Sequence, residues 1–90
     1  MNSPDNQPVV LLIDDDHTLH LWAQRNLPEA GFKLISCSNG IEGIEIFNEI
    51  LPNIVIIDIE MPTMDGFETC AKIRALPNGE NTPVVMMTAT

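Results

Sequence analysis

The feature that most limits the possible fold of this 90-residue chain is a set of short apolar segments without alternation. Residues 9–13 (Val-Val-Leu-Leu-Ile) and 54–57 (Ile-Val-Ile-Ile) are apolar at every position, and residues 83–90 begin with a third such run. A strand with one face in water alternates apolar and polar residues, whereas a strand of a parallel sheet is covered on both faces and does not alternate. These segments therefore predict the buried strands of a parallel sheet.

Segments with helical spacing separate these strands. Residues 17–30 are predicted to form the first helix, with Pro28 weakening its last turn, and residues 32–38 a further short strand. An Asn or Asp cap followed three residues later by Glu, at Asn39 and Asp65, predicts the starts of the second and third helices. The second helix is expected to turn four apolar side chains inward: Ile41, Ile44, Phe47 and Leu51.

The resulting order of strand, helix, strand, helix, strand, helix, strand predicts an α/β fold. Parallel strands joined by right-handed crossovers would form a doubly wound sheet with helices on both faces. Ligands of such folds bind at the carboxyl ends of the strands. Residues 1–8 are expected to be a flexible polar leader, so that the folded domain occupies residues 9–90.

Composition limits the partners. Thirteen acidic residues against four basic ones give a net charge of -9, which argues against direct binding to nucleic acid or membrane and favours a cation as ligand. No apolar run approaches the roughly 18 residues of a membrane-spanning helix, and the first residues do not resemble a signal peptide, so we expect a cytoplasmic protein. Cys37 and Cys70 lie inside patterned segments and are interpreted as core residues rather than a disulfide.

Polar residues follow three of the four predicted strands. Asp14 and Asp15 come after the first, Asp58 after the third and Thr88 after the fourth, so parallel strands would bring them to one edge of the sheet. Three carboxylates at one edge repel one another, which raises the pKa of at least one of them unless a cation lies between them. A set of oxygen ligands suits Mg²⁺. Asp16 is interpreted as the cap of the first helix.

A carboxylate beside a divalent cation can attack phosphorus and form an aspartyl phosphate, while the metal neutralises the phosphoryl oxygens. Asp58 is the best candidate for this nucleophile, because it is the single acid at the end of a central strand. Asp14 and Asp15 form a pair that is better suited to holding metal. The Thr88 hydroxyl could hydrogen-bond to the new phosphoryl group.

Three blocks of the sequence resemble the receiver domains of bacterial two-component response regulators. The blocks are residues 11–16 (Leu-Leu-Ile-Asp-Asp-Asp), 58–68 (Asp-Ile-Glu-Met-Pro-Thr-Met-Asp-Gly-Phe-Glu) and 83–89 (Pro-Val-Val-Met-Met-Thr-Ala). The resemblance implies the flavodoxin-like or CheY-like form of the doubly wound fold. It also implies a phosphoacceptor module that takes a phosphoryl group from a sensor histidine kinase, or from a phosphotransfer protein, and then switches conformation. Such a module is not an enzyme, although it takes part in its own phosphorylation and autodephosphorylation, and any enzymatic output domain would lie beyond residue 90.

The resemblance also implies a role for each motif residue. Asp58 would be the phosphoacceptor, and Thr88 would be the switch hydroxyl that turns toward the phosphate. The side chain of Glu60, two positions after the acceptor, is expected to influence the lifetime of the aspartyl phosphate. The Mg²⁺ ligands would be Asp15 and Asp58 directly, Asp14 through water, and the backbone carbonyl of Glu60, while Met61, Pro62 and Gly66 would shape the loop after the acceptor strand.

The resemblance ends after the fourth strand. Receivers continue with a fourth helix, a fifth strand that carries a lysine, and a fifth helix, and nothing in residues 9–90 corresponds to them. Lys33 and Lys72 do not replace that lysine, because one begins a strand at the opposite edge and the other lies within a helix. We expect the last strand to be a bare edge beside an uncovered sheet face, so that the chain self-associates or is a fragment of a longer protein.

Two other functions fit parts of the sequence. Residues 14–18 (Asp-Asp-Asp-His-Thr) also match the Asp-x-Asp-x-Thr signature of haloacid-dehalogenase-like phosphatases, in which Asp14 would be the nucleophile. A degenerate receiver that acts only as an interaction module is the second alternative, because the lysine is missing. His17 and His20 have the spacing of a metal pair on a helix, but no third ligand is evident, and they are interpreted as exposed helix residues.

Overall fold

The computed structural model describes residues 6–87, in which strands and helices alternate as the sequence predicts. Residues 1–5 of the predicted leader lie outside the described residues, and the Pro8 carbonyl accepts a hydrogen bond of 2.8 Å from the backbone N–H of Lys33. No helix in residues 6–87 is long and apolar enough to cross a membrane. The elements are β1 (Val9–Ile13), α1 (His17–Asn26), β2 (Lys33–Cys37), α2 (Gly40–Ile50), β3 (Ile54–Asp58), α3 (Gly66–Arg74) and β4 (Val84–Met87).

The four strands form one sheet in the order β2-β1-β3-β4, and every neighbouring pair is parallel. Val10 of β1 pairs with Leu34 of β2 and with Ile54 of β3. The chain moves from β1 outward to β2 and then returns past β1 to β3, so right-handed crossovers put α1 on one face and α2 and α3 on the other. The predicted doubly wound parallel sheet is confirmed, and the carboxyl ends of all four strands lie at one edge.

Helix α1 ends at Asn26, four residues before the predicted end at Ala30. The backbone N–H of Leu27 still bonds to the Ala23 carbonyl at 2.9 Å. Pro28 comes next and has no N–H to continue the helix, and its ring would clash with the carbonyl four residues earlier. A series of turns through Gly31, whose φ is +96°, then leads into β2.

Helix α2 follows the sequence prediction in part, because Phe47 is buried and Ile44 packs against the core as predicted, whereas Ile41 and Leu51 do not. Its buried residues are Gly40, Gly43 and Phe47, whereas Ile41 is 53% exposed and Leu51 is 47% exposed. Leu51 is the C-cap with φ 54°, so its side chain no longer follows the helical repeat. A Cβ at Gly43 would overlap the side chain of Ile13, which shows how closely the helix approaches β1. Glycine therefore forms part of the inward face of α2, and apolar periodicity alone placed Ile41 and Leu51 wrongly.

The main core lies between the sheet and the α2/α3 layer. It consists of eight buried residues: Leu11, Ile13, Cys37, Phe47, Val55, Ile57, Met61 and Ile73. On the opposite face of the sheet, Val10 and Leu12 of β1 and Ala23 of α1 are buried but do not belong to this cluster. The part of that face formed by β3 and β4 is less covered, and Val85 there is 46% exposed.

Candidate functional site

The candidate site is a cleft at the carboxyl edge of the sheet, between the ends of β1 and β3. The chain leaves β1 toward one side of the sheet and leaves β3 toward the other, so the two loops diverge and leave a crevice where doubly wound folds bind ligands. The cleft has a volume of about 350 Å³. Its walls are formed by Asp14, Asp15, Asp16, Leu19, Asp58, Glu60 and Met87.

The three acids predicted from the sequence meet in this cleft. Asp14, Asp15 and Asp58 each offer one carboxylate oxygen, and these oxygens all lie within 4.8 Å of one another. Asp14 is 4% exposed and Asp58 is 8% exposed, whereas Asp15 is exposed to solvent. Two of the three carboxylates therefore belong to residues that are largely buried, and they lie close together at the wall of the cleft.

Asp14 is fixed by hydrogen bonds at its backbone and its side chain. Its N–H donates to the Cys37 carbonyl at 3.1 Å, which extends the β1–β2 pairing by one residue. Its Oδ1 accepts from the Asp16 N–H at 2.7 Å, and its carbonyl accepts from Nε2 of His20. Asp16 in turn caps α1, because its Oδ1 accepts from the Thr18 N–H at 2.9 Å. The predicted cap is confirmed, and the turn after β1 has little freedom.

Asp58 is the last residue of β3, and the segment after it is bonded on both sides. Its Oδ1 accepts from the Glu60 N–H at 3.3 Å, and the N–H of Ile59 donates to the Met87 carbonyl of β4 at 2.9 Å. The N–H of Gly66 donates to the Ile59 carbonyl at 2.9 Å. A Cβ at Gly66 would lie 2.5 Å from the Asp58 carbonyl oxygen, so only glycine allows α3 to begin this close to the end of β3.

The loop between β3 and α3 contains the remaining residues of the predicted motif. Met61 is buried in the main core, whereas Pro62 is exposed. The N–H of Met64 donates to the Pro62 carbonyl at 2.8 Å, which closes a three-residue turn around Thr63. Thr63 has φ 73°, an unfavourable value for a β-branched residue. The buried side chain of Met61 therefore anchors the loop, and the loop holds Thr63 in an unfavourable backbone conformation.

The electrostatics of the cleft favour a cation. Burial raises the pKa of Asp58 above its ordinary value of 3.8, and the negative charges of Asp14 and Asp15 raise it further, while the bond from the Glu60 N–H lowers it. A small divalent ion between the three carboxylates would relieve that repulsion. Mg²⁺ prefers carboxylate, carbonyl and water oxygens, and this donor set contains only oxygen. The residues present therefore fit Mg²⁺.

The other predicted positions are placed as follows. The Glu60 side chain is exposed at the wall of the cleft, and Lys33 begins β2 at the opposite edge of the sheet. None of the cleft-lining residues within the described part of the chain carries a positive charge. The proposed switch residue, Thr88, lies outside the described residues.

Sequence reasoning missed the part that His20 plays in this arrangement. The residue is half-buried rather than exposed, and its imidazole bonds back to the Asp14 carbonyl. A signal for it was present, because side chains near the start of a helix point back toward its N-terminus and hence over the preceding loop.

Comparison with known proteins agrees with this geometry. The family model for the response regulator receiver domain matches residues 10–90. This chain belongs to the receiver domain family. It is 34% identical over 80 residues to the protein PilG of Pseudomonas aeruginosa, a match that covers 89% of this chain and 59% of PilG. The phosphatase alternative is not favoured by this match, and the receiver is the phosphoacceptor module of two-component systems.

Solved structures show the same fold. The chemotaxis protein CheY4 of Vibrio cholerae superimposes with a TM-score of 0.85 at 26% identity, covering 89% of this chain and 67% of that one. The receiver domain of the sensor histidine kinase PA1611 from Pseudomonas aeruginosa has a TM-score of 0.87 at 23% identity, covering 93% of this chain and 69% of that one. That structure is described with a magnesium ion coordinated in its active site cleft. This chain thus has the CheY-like fold over about two thirds of those solved chains.

Proposed function

We propose that Asp58 accepts a phosphoryl group from a sensor histidine kinase, or from a phosphotransfer protein, with Mg²⁺ bound in the acidic cleft. The observation that carries this proposal is the convergence of three carboxylates from the ends of β1 and β3 within 4.8 Å. Helix capping accounts for Asp16 but gives no reason to gather Asp14, Asp15 and Asp58. Receiver domains are not, as a class, enzymes that turn over a separate substrate, and we propose the same for residues 9–90.

The proposed Mg²⁺ ligands follow from the donor set. Asp15 and Asp58 would bind the ion directly, Asp14 would bind it through water, and Glu60 would contribute its backbone carbonyl. The raised pKa of Asp58 supports this arrangement, since the three acids repel one another without a cation. When bound, Mg²⁺ supplies positive charge opposite the phosphoryl oxygens. The magnesium ion in the cleft of the PA1611 receiver further supports this identity for the ion.

The proposed transfer needs no further reactant. A carboxylate oxygen of Asp58 forms a bond to phosphorus while the bond between phosphorus and the donor imidazole nitrogen breaks, and the electron pair of the broken bond remains on that nitrogen. The contribution of this chain is orientation. The end of β3 holds the backbone of Asp58, and the Glu60 N–H holds Oδ1, so the carboxylate does not have to be ordered during the reaction.

Phosphorylation would act on the structure through charge. A new charge of about -2 would bias a pre-existing equilibrium between two arrangements of the surrounding loops. We propose Thr88 as the hydroxyl that turns toward the phosphoryl group; it follows Met87, whose side chain lines the cleft. Met61, Pro62 and Gly66 are proposed to shape the loop, and the lack of room for a Cβ at Gly66 supports its part in this.

The proposal is tested by labelling the protein with acetyl phosphate in the presence of Mg²⁺ and weighing the intact chain. We expect the wild type to gain one phosphoryl group and Asp58→Asn to gain none. Asp14→Asn should weaken labelling through loss of metal without abolishing it at high Mg²⁺. Glu45→Gln removes one charge from the exposed side of α2 and is the matched control, with labelling equal to the wild type.

The outcomes separate the alternatives. Loss of labelling on Asp14→Asn with full labelling of Asp58→Asn would identify the phosphatase nucleophile instead. No labelling of the wild type at any Mg²⁺ concentration would overturn the proposal and support a receiver that acts only as an interaction module.

We further propose that this chain self-associates through the exposed edge of β4 and the adjoining face, and that the partner is a second copy. The apolar strip consists of Ile54, Ile56, Val85 and Met87, which share the face away from the main core. Strand β4 lies at the edge of the described sheet, and an edge strand with free backbone groups is a template for pairing. Two copies related by a twofold axis perpendicular to the sheet would pair their β4 strands antiparallel, which satisfies both strand edges and brings the two strips side by side on one face.

Light scattering across a concentration series tests the self-association. We expect a dimer that dissociates on dilution, and we expect Val85→Lys to be monomeric because it puts a charge in the centre of the strip. Ile41→Lys, which changes an equally exposed apolar residue on α2, should leave the dimer intact. A monomeric wild type at all concentrations would refute this part of the proposal.

A further inference from the structure

His20 makes a contact that the phosphoacceptor chemistry does not explain. It lies in the first half of α1, is half-buried, and places Nε2 against the backbone carbonyl of Asp14. A carbonyl oxygen can only accept a hydrogen bond, so Nε2 carries the proton and donates. The bond therefore runs from the helix back to the residue that follows β1, at the wall of the acidic cleft.

We propose that His20 is a positioning residue for the metal-binding acids, and this inference rests on the proposed function of the same cleft. The carbonyl of Asp14 and the N–H of Asp15 belong to one planar peptide unit. Holding that carbonyl fixes the plane, and the plane fixes the positions of the Asp15 nitrogen and Cα, from which its side chain extends. His20 thus orients Asp15, the exposed acid of the cluster.

The bond from His20 to Asp14 is not needed to complete the start of helix α1. The start of α1 already has Asp16 as its cap, with Oδ1 bonded to the Thr18 N–H at 2.9 Å. The backbone of Asp14 is bonded to β2 through its N–H, and its Oδ1 is bonded to the Asp16 N–H. What the imidazole adds is control of the remaining backbone polar group of Asp14, the carbonyl shared with the peptide of Asp15. Groups that orient metal ligands in this way commonly change metal affinity about 10-fold or more when they are lost.

The test is a calorimetric Mg²⁺ titration of the full chain with a set of variants. His20→Leu removes the donor and is expected to weaken Mg²⁺ binding about 10-fold. His20→Gln places an amide N–H near the position of Nε2 and should restore binding, whereas His20→Asn places it near Nδ1 and should not. His17→Leu, at an exposed histidine on the same helix, is the matched control and should bind as the wild type does.

Rescue by Gln and not by Asn is the result that a general effect on folding would not produce. It also keeps the test decisive if His20→Leu fails to fold. A second readout needs no metal: the ¹⁵N shifts of the imidazole should show a proton on Nε2, and an unprotonated Nε2 would overturn the inference. If the wild type binds Mg²⁺ and His20→Leu or His20→Asn binds it equally well, only the role of His20 falls. If the wild type binds no Mg²⁺, the proposed function and this inference fall together.

Discussion

The two faces of the sheet are built from the same kind of apolar residue but are covered to different extents. Under α2 and α3, four strand residues are fully buried: Leu11, Ile13, Val55 and Ile57. On the opposite face Val10 and Leu12 of β1 are 3% and 1% exposed, whereas Val85 of β4 is 46% exposed. The second face is therefore covered over its β1 half and open over its β4 half.

This difference shows what an unbroken apolar strand indicates and what it does not. Residues 54–57 are apolar at every position, which is typical of a strand with two covered faces. In the described part of the chain, Val55 and Ile57 face the α2/α3 layer, whereas Ile54 and Ile56 are half-buried and form part of the apolar strip. The pattern thus indicates the environment for which the strand is suited, whereas half of this face is open in residues 6–87.

The largest expected effect comes from two neighbouring residues of β3 that point to opposite faces. Ile57→Ala should lower the free energy of unfolding by about 2–5 kcal/mol, because it leaves a cavity in a core where Ile57 is 0% exposed. Ile56→Ala should cost less than half as much, since Ile56 is only half-buried. Urea denaturation at low protein concentration measures both. Equal losses would mean that the two faces are equally covered in solution.

Mg²⁺ binding at the carboxyl ends of β1 and β3 should raise the free energy of unfolding by an amount similar to the loss in Ile57→Ala. Mg²⁺ at one hundred times its dissociation constant should raise the free energy of unfolding by about 2.7 kcal/mol in the wild type and by almost nothing in Asp58→Asn. Without metal, Asp58→Asn should be the more stable of the two proteins. The raised pKa of Asp58 means that its contribution to stability is complete below its ordinary pKa of 3.8 and is lost as the pH rises through the folded value.

Asp58→Asn should therefore be more stable than the metal-free wild type at pH 7, and the gap should close toward pH 3. Thermal melts with EDTA and with Mg²⁺ measure both effects. Glu45→Gln serves as the control. An equal rise in melting temperature with Mg²⁺ in Asp58→Asn and in the wild type would show that Asp58 does not bind the ion.

The next effect concerns what holds β4 beside its open face. Nη1 of Arg74 donates to the carbonyls of Gly79 and Thr82, both at 2.6 Å, and so ties the end of α3 to the segment before β4. Arg74→Met should cost about 2 kcal/mol, because two carbonyls lose a charged donor. Arg25→Met, at an exposed arginine in the last turn of α1, should change stability by less than about 0.5 kcal/mol. Similar values for the two variants would show that Arg74 does not fasten β4.

The smallest expected effect comes from Cys37, whose thiol lies in the core under α2 and α3. Burial raises the pKa of the Cys37 thiol from 9.0 to about 11, with a further rise from the charge of Glu42 and a partial offset from the bond to Asn39. A raised pKa gives stability that is complete below pH 9 and is lost as the pH rises toward 11. Cys37→Ala should abolish a loss of about 1 kcal/mol near pH 10, whereas Cys70→Ala should not. An unchanged alkaline slope in Cys37→Ala would show that the thiol is open to solvent.

Much of the fold could be predicted from the sequence because its signals are local. Apolar runs, Asn39 and Asp65 as caps, and the acids after the strands each act on their own segment, and parallel strands then bring Asp14 and Asp58 together. What could not be predicted depends on close approach between elements. Gly43 rather than Ile41 faces the core because α2 comes within reach of Ile13, and no periodicity contains that distance. The end of α1 at Asn26 and the bond from His20 to Asp14 are likewise set by steric and directional detail.

The central claim is that Asp58 is the residue that takes the phosphoryl group. The most direct test is to treat the protein with acetyl phosphate and Mg²⁺, reduce it with borohydride, and map the products by peptide mass spectrometry, since reduction converts an aspartyl phosphate to homoserine. The account predicts homoserine at position 58, dependent on Mg²⁺, and unmodified aspartate at 14 and 15. Homoserine at position 14, or at no position, would contradict it.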